Sequence, residues 1–324
     1  MKKAIVTSIV FAFLLLCCKA PNKEKKEKTV SKATIIQYGF KNKKVTKQWL
    51  EAIQNRESKA YIDSLSKLTT PLTKEELKWK QLIESNIDDW NLMRDSLDVP
   101  FGKINIADTI TVLLGYRGVD DGFTYKEKTL CIDLTALNNT YGSANKKVNK
   151  NRVLRIISHE YTHLLSKKWM KDNNYKIPDN HFKTDSAFKK HVLWEIWYEG
   201  FGVYRSMSSK WFPIEGSSSP TAKDALKKLS PVFVEKMITM DTTKVLTLDQ
   251  KKWIQKNVSE GPFIQKYAAL PVGIWLALEA NGDDKNLIKW VNKGPEGILG
   301  LARKHLKGEY KENFNAIFQN RFDN

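Results

Sequence analysis

Two of the chain's five histidines, His159 and His163, stand four residues apart inside the apolar stretch 153–165, with Glu160 next to the first. On a helix, positions i and i+4 lie one above the other, so both imidazoles can reach one metal ion while Glu160 sits beside it, about 100° round the axis. Two imidazoles suit a borderline-soft, tetrahedral ion such as Zn2+. An ion with one open position lowers the pKa of a water to about 7, and a neighbouring carboxylate can take the proton released. The spacing is the HExxH pattern, and the chemistry it suits is zinc-assisted addition of water.

The stretch must be helical for this to work, and its periodicity says that it is. Val153, Leu154, Ile157, Tyr161, Leu164 and Leu165 recur at three and four residues and bury one side, leaving Ile156, His159, Glu160 and His163 on another. A zinc site of this kind needs a third protein ligand. The version with a later histidine fails, because Ser166 and Trp169 stand where Gly and His are required. Further on, Val192, Glu195, Ile196, Glu199 and Val203 share a helical stripe, which sets two carboxylates in an apolar face. A charge placed there needs a partner.

With Glu199-Gly200-Phe201-Gly202-Val203-Tyr204 following the HExxH helix, the chain resembles the gluzincins, zinc metallopeptidases whose third ligand is a Glu on a downstream helix, often in the form E-G-x-A-x-Y. Gly202 departs from that form by replacing the Ala. The resemblance covers about 124–204 and implies Zn2+ held by His159, His163 and Glu199, with Glu160 as general base and a peptide or protein as substrate. It implies an α+β, zincin-like fold: an N-terminal lobe with a small sheet and the HExxH helix, then a mainly helical C-terminal lobe. Glu195, one turn before Glu199, competes for the ligand role or orients a ligand histidine through its other ring nitrogen. The oxyanion donor in such enzymes is a downstream Tyr or His, and Tyr267, Tyr204 and His191 are the candidates. A strand before the HExxH helix forms the upper edge of the cleft in these peptidases, and 129–134 takes that place, open to an extended peptide as an added strand.

The remaining elements must position these groups. Residues 45–68 read as helix, and Thr73 with Glu76 forms a capping box that opens a long helix through Leu77, Leu82, Ile83, Ile87 and Trp90. Residues 103–114 and 129–134 read as strands, joined by a segment in which Asp120-Asp121-Gly122 is a turn rather than a Ca2+ loop. The polar stretch 138–151 reads as a loop over the site. Helical spacing returns in 221–238, 248–258, 267–280 and 298–306. His181, His191 and His305 lack ligand spacing and read as satisfied or exposed. These elements divide into an N-terminal lobe over 34–170 and a helical lobe over 171–324 that carries the Glu ligand.

Ahead of them, Lys2 and Lys3 precede the apolar run 4–16, too short for a permanent membrane span and suited to an export signal. Because the run ends in Cys17-Cys18, 1–17 looks like a bacterial lipoprotein signal, with Cys18 as the lipidated residue and 18–33 a Lys-rich tether. That places the protein outside the cytoplasm, anchored to a membrane by lipid. Of the net charge of +18, ten Lys against two Glu fall in 19–47 and two more in Lys2 and Lys3, so less than half belongs to the body. No nucleic-acid-binding motif is present, and a basic tether beside an anchor suits anionic lipid. Cys131, within an alternating strand, reads as a buried thiol. Two rival readings stay open: a non-catalytic surface lipoprotein on a zincin scaffold, and a metal-free binding module in which Glu199 and the histidines are unrelated in space.

Overall fold

A small sheet and a set of packed helices share one continuous apolar core in the computed structural model of the chain, which describes residues 32–318 apart from 103, 105, 107 and 119. The expected signal 1–17, Cys18 and the tether up to residue 31 lie outside the described residues. The tether's expected end at 33 is too late. Lys32 already pairs with Asp95 at 2.7 Å, and the first strand, β1 (Ala33–Tyr38), starts at once.

A two-stranded ribbon, β2 (Phe40–Lys41) and β3 (Lys44–Val45), follows. The helix expected over 45–68 is two helices, α1 (Lys47–Ile53) and α2 (Lys59–Lys67), because Ser58 caps a new start by accepting from the Tyr61 N–H. The capping box at Thr73 and Glu76 is present and opens α3 (Lys74–Glu84). The helix expected to continue stops at Asn86, whose side chain binds back to the Leu82 carbonyl at 2.6 Å, and α4 (Ile87–Asp98) begins anew.

The strands β4 (Thr109–Gly115), β5 (Gly122–Tyr125) and β6 (Thr129–Asp133) complete a sheet of order β1-β4-β6-β5. β1, β4 and β6 run parallel, and β5 runs antiparallel to β6. The strand at 129–134 is therefore not an edge. β6 is paired on both sides and buried along its length, and the edge on that side is β5, which packs on the HExxH helix. Cys131 is a buried free thiol in β6, as expected, with its ionisation pushed up by burial.

The stretch 138–151 is mostly helical rather than a loop. Asp133 caps α5 (Leu134–Tyr141) by accepting from the Ala136 N–H at 2.7 Å, and α6 (Lys147–Asp172) starts five residues after α5 ends. Asn149, polar in sequence, is buried and donates to the Ser143 carbonyl, which fixes the short turn between the two helices. Then come α7 (Asp185–Ser206), α8 (Pro220–Thr242), α9 (Leu248–Gln255), α10 (Ala269–Ala280), α11 (Ile288–Asn292), α12 (Gly297–His305) and α13 (Gly308–Phe318). The expected helices beyond Tyr204 are present as α8, α9, α10 and α12. The fold is α+β, helix-rich, with a small four-stranded sheet and a two-stranded ribbon formed by the N-terminal part of the chain.

Packing fixes the two helices that matter. α7 lies between α6 and α10, with Phe188, Val192, Ile196, Trp197 and Val203 wholly buried. At about 1.5–3 kcal/mol for each large apolar side chain, that burial outweighs the about 0.8–1 kcal/mol that each helical Gly costs. So α7 runs through Gly200 and Gly202 to Ser206 instead of ending there.

Candidate metal centre

The period of α6 delivers what its sequence promised. Val153, Ile157, Tyr161, Leu164 and Leu165 are buried, and His159, Glu160 and His163 share the face that looks at α7. The rings of His159 and His163 lie edge-to-face, centroids 4.6 Å apart. Among the described residues, His159, Glu160 and His163 form a trio whose ligating atoms all lie within 4.8 Å of one another.

Glu199 arrives from α7 and spans the two rings. Its Oε2 is 3.5 Å from His159 Nε2, and its Oε1 is 3.4 Å from His163 Nε2. Two carboxylates thus approach the histidines, but they differ in kind. Glu199 offers one oxygen to each imidazole, whereas Glu160 makes no ion pair with either ring and stands beside them. Glu195 does neither. Its oxygens accept from Ser259 Oγ at 2.7 Å and Gln255 Nε2 at 3.2 Å, and its nearest histidine is His191 at 3.8 Å. It therefore neither replaces Glu199 nor orients His159 or His163.

Glycines make the approach possible. A Cβ on Gly202 would come within 2.7 Å of His159 Cε1 and 2.8 Å of its Nε2. The Gly in place of Ala is thus no mild departure here, because the His159 ring lies flat against the α7 backbone. A Cβ on Gly200 would instead collide with Val272 of α10. On the other side, Gly122 at the start of β5 leaves 3.1 Å between its would-be Cβ and Glu160 Cγ, so the edge strand lies directly over Glu160.

Electrostatics follows burial and partners. Burial pulls both imidazoles down. At His163 it wins and the ring is lowered to about 4, while at His159 the hydrogen bond of Glu199 and the charges of Glu160 and Glu199 outweigh it and the pKa is raised. Burial also pushes Glu199 up, but the two imidazoles overcome it and hold the carboxyl well below its ordinary range. Glu160, with burial dominant and the charges of Glu199 and Asp121 adding to it, is raised to about 7.

The oxyanion candidates are engaged elsewhere. Tyr267 donates to the Ile254 carbonyl at 2.6 Å in the core. Tyr204 donates to Asp284 and lines a hollow of about 700 Å³ with Val99, Phe212 and Asn281, which none of the metal-centre residues borders. His191 stacks on His181, ring centroids 3.6 Å apart, and meets Gln255. His305 is satisfied by Glu279 at 2.8 Å. Of the acidic turn, Asp120 pairs with Arg56 and Asp121 accepts from Tyr141, so it acts as a plain turn.

No protein-family model, no curated protein and no solved structure matches this chain. Two residues of the site escaped the sequence reading: Tyr198, stacked on His163, and Ser206, whose Oγ is 3.4 Å from His159 Nδ1. Ser206 stands seven residues after Glu199 on the same helix, which a two-turn period would have indicated. Tyr198 carries no motif; its being next to Glu199 is the sole clue.

Proposed function

We propose that the chain is a zinc-dependent hydrolase of peptide bonds, built on a zincin-like scaffold of the gluzincin type. The observation that carries this reading is the spacing of three ligand-type side chains from two helices. Tetrahedral Zn2+ with ligands at about 2.0–2.1 Å sets neighbouring donor atoms about 3.3–3.4 Å apart. The two Nε2-to-carboxylate gaps, one to each oxygen of Glu199, are 3.5 and 3.4 Å, longer than an ordinary N–H···O bond and close to that span. Two imidazoles and a carboxylate are also a donor set that zinc takes in hydrolytic sites, so the residues fit the ion.

When bound, zinc supplies Lewis-acid polarisation of a carbonyl and makes water a nucleophile near neutral pH. Glu160 takes the proton from the attacking water and returns it to the leaving amine. Its carboxylate lies within 4.8 Å of a ligating nitrogen of each histidine, and burial raises its pKa to about 7, both of which suit that exchange. The unpaired side of β5 offers main-chain donors and acceptors to an extended substrate, and its contact with Glu160 at Gly122 would bring the peptide over the base. The added-strand role thus passes from 129–134 to Gly122–Tyr125.

Glu160→Gln tests the reading against a zinc-binding protein without activity. An amide keeps the volume but cannot accept the proton at neutral pH. Zinc content should survive while cleavage of a mixed peptide library falls about 10²–10⁴-fold. Equal cleavage by the variant rejects Glu160 as base, and cleavage that persists in a chelator rejects zinc chemistry.

A further inference from the structure

The two histidines of the centre are held in different ways. A ligand imidazole ordinarily gives its second ring N–H to a carboxylate, carbonyl or hydroxyl, and this bond fixes the ring's plane. His159 follows that pattern. Its Nδ1 is 3.4 Å from Ser206 Oγ, and the Ser206 hydroxyl donates its own hydrogen bond to the Val203 carbonyl at 3.0 Å. His163 does not, because its Nδ1 is buried and has no hydrogen-bond partner. What its ring has instead is Tyr198, face to face, with centroids 3.8 Å apart and planes within 1° of parallel. Tyr198 also meets Trp194, centroids 5.1 Å apart and planes tilted by 37°, and its hydroxyl end interacts with the Thr124 side chain of β5. It is 8% exposed, so the ring has little freedom of its own.

We infer that Tyr198 is the positioning residue of His163: the parallel stack of its ring sets the imidazole plane, in place of the hydrogen bond that His163 Nδ1 lacks. The inference rests on the zinc reading above and adds a residue to it. The physical basis is that an offset or parallel aromatic contact restricts rotation about the Cβ–Cγ bond of the imidazole while leaving Nε2 free to face Glu199. A flat partner is what the task requires. The phenol oxygen, at the far end near Thr124, is not part of it.

Zinc affinity measured by chelator competition on the full-length chain, alongside thermal unfolding of the metal-free protein, tests this with Tyr198→Phe and Tyr198→Leu. Phe keeps the plane and should bind zinc within about threefold of wild type. Leu removes it and should weaken zinc by about 10–100-fold, the usual cost of losing a ligand's outer support. If Leu does not fold, Tyr198→Met fills the space without a plane and is read the same way. Zinc affinity unchanged in the non-aromatic variant overturns the inference, as does an equal loss with Phe, which would transfer the role to the hydroxyl. A non-aromatic variant whose metal-free unfolding falls enough to account for its lost affinity overturns it too. Failure of wild type itself to bind zinc refutes the parent reading, whereas zinc bound equally by wild type and the non-aromatic variant refutes this inference alone.

Discussion

Glu195 and Glu199 stand one turn apart on α7, and their side chains are 14% and 20% exposed. Burial pushes both carboxyls up. Around Glu199 stand two imidazoles, which reverse the effect and keep the group ionised. Around Glu195 stand Ser259, Gln255 and a His191 whose own protonation burial has lowered to about 4, and here burial wins, raising the carboxyl to about 7. The comparison teaches that similar depth on one helix face does not fix a carboxylate's role. The element opposite decides: α6 brings two imidazoles, whereas Gln255 at the end of α9 and Ser259 just beyond it bring neutral hydrogen bonds.

The largest effect expected from this difference is on metal. Glu199→Ala should lower zinc affinity by more than the about 10–100-fold that outer-shell partners cost, while Glu195→Gln should leave it within about threefold. Equilibrium dialysis of the two variants separates them, and the reverse ranking would transfer the ligand role to Glu195.

A second pair of residues sharpens the contrast through shape. Gly202→Ala puts a methyl group on the His159 ring and should weaken zinc about 10–100-fold as the ligand is displaced. Gly200→Ala drives the same methyl into Val272 and should instead cost about 1–3 kcal/mol of stability by overpacking, with zinc affinity retained. Chelator competition and urea unfolding on both variants would read these out, and a common loss in both columns would dissolve the distinction.

The smallest effect is a pH dependence. Because the folded-state value of Glu195 lies above the ordinary 4.5, the fold favours its protonated form. That contribution is full below about pH 4.5 and is lost as pH rises through about 7. Glu195→Gln, which imitates the protonated group, should match wild type at the acid end and exceed it by about 1–3 kcal/mol at pH 8 in metal-free protein. A difference that does not change with pH would show that Glu195 stays ionised or stays neutral throughout.

Much of this centre was legible in the sequence, for reasons that also mark the limit. The face of α6 follows from a period of 3.6, and Glu199 from its helix stripe and the glycine after it. Period alone does not choose between Glu195 and Glu199, since both lie on one stripe; the glycine after Glu199 favours it, and the neighbours of α7 agree, with Glu199 facing the imidazoles and Glu195 facing Ser259 and Gln255. β1 hid in a lysine-rich tract because its Ile35 and Ile36 are few among polar residues, and only pairing with β4 makes it a strand. β5, four residues that begin at the Gly of Asp-Asp-Gly, carries too little alternation to read as a strand, yet it is the strand that lies over Glu160. Asp133 and Asn149, polar residues spent on a cap and a turn, converted the expected loop at 138–151 into the ends of two helices.

The central claim is that His159, His163 and Glu199 hold one zinc ion, and X-ray absorption at the zinc edge on the purified, zinc-repleted full-length chain tests it most directly. The account predicts one zinc per chain in a shell of nitrogen and oxygen at about 2.0–2.2 Å with an imidazole contribution, and loss of that bound zinc in His163→Ala. No stoichiometric zinc after repletion, or a spectrum unchanged in that variant, would contradict it.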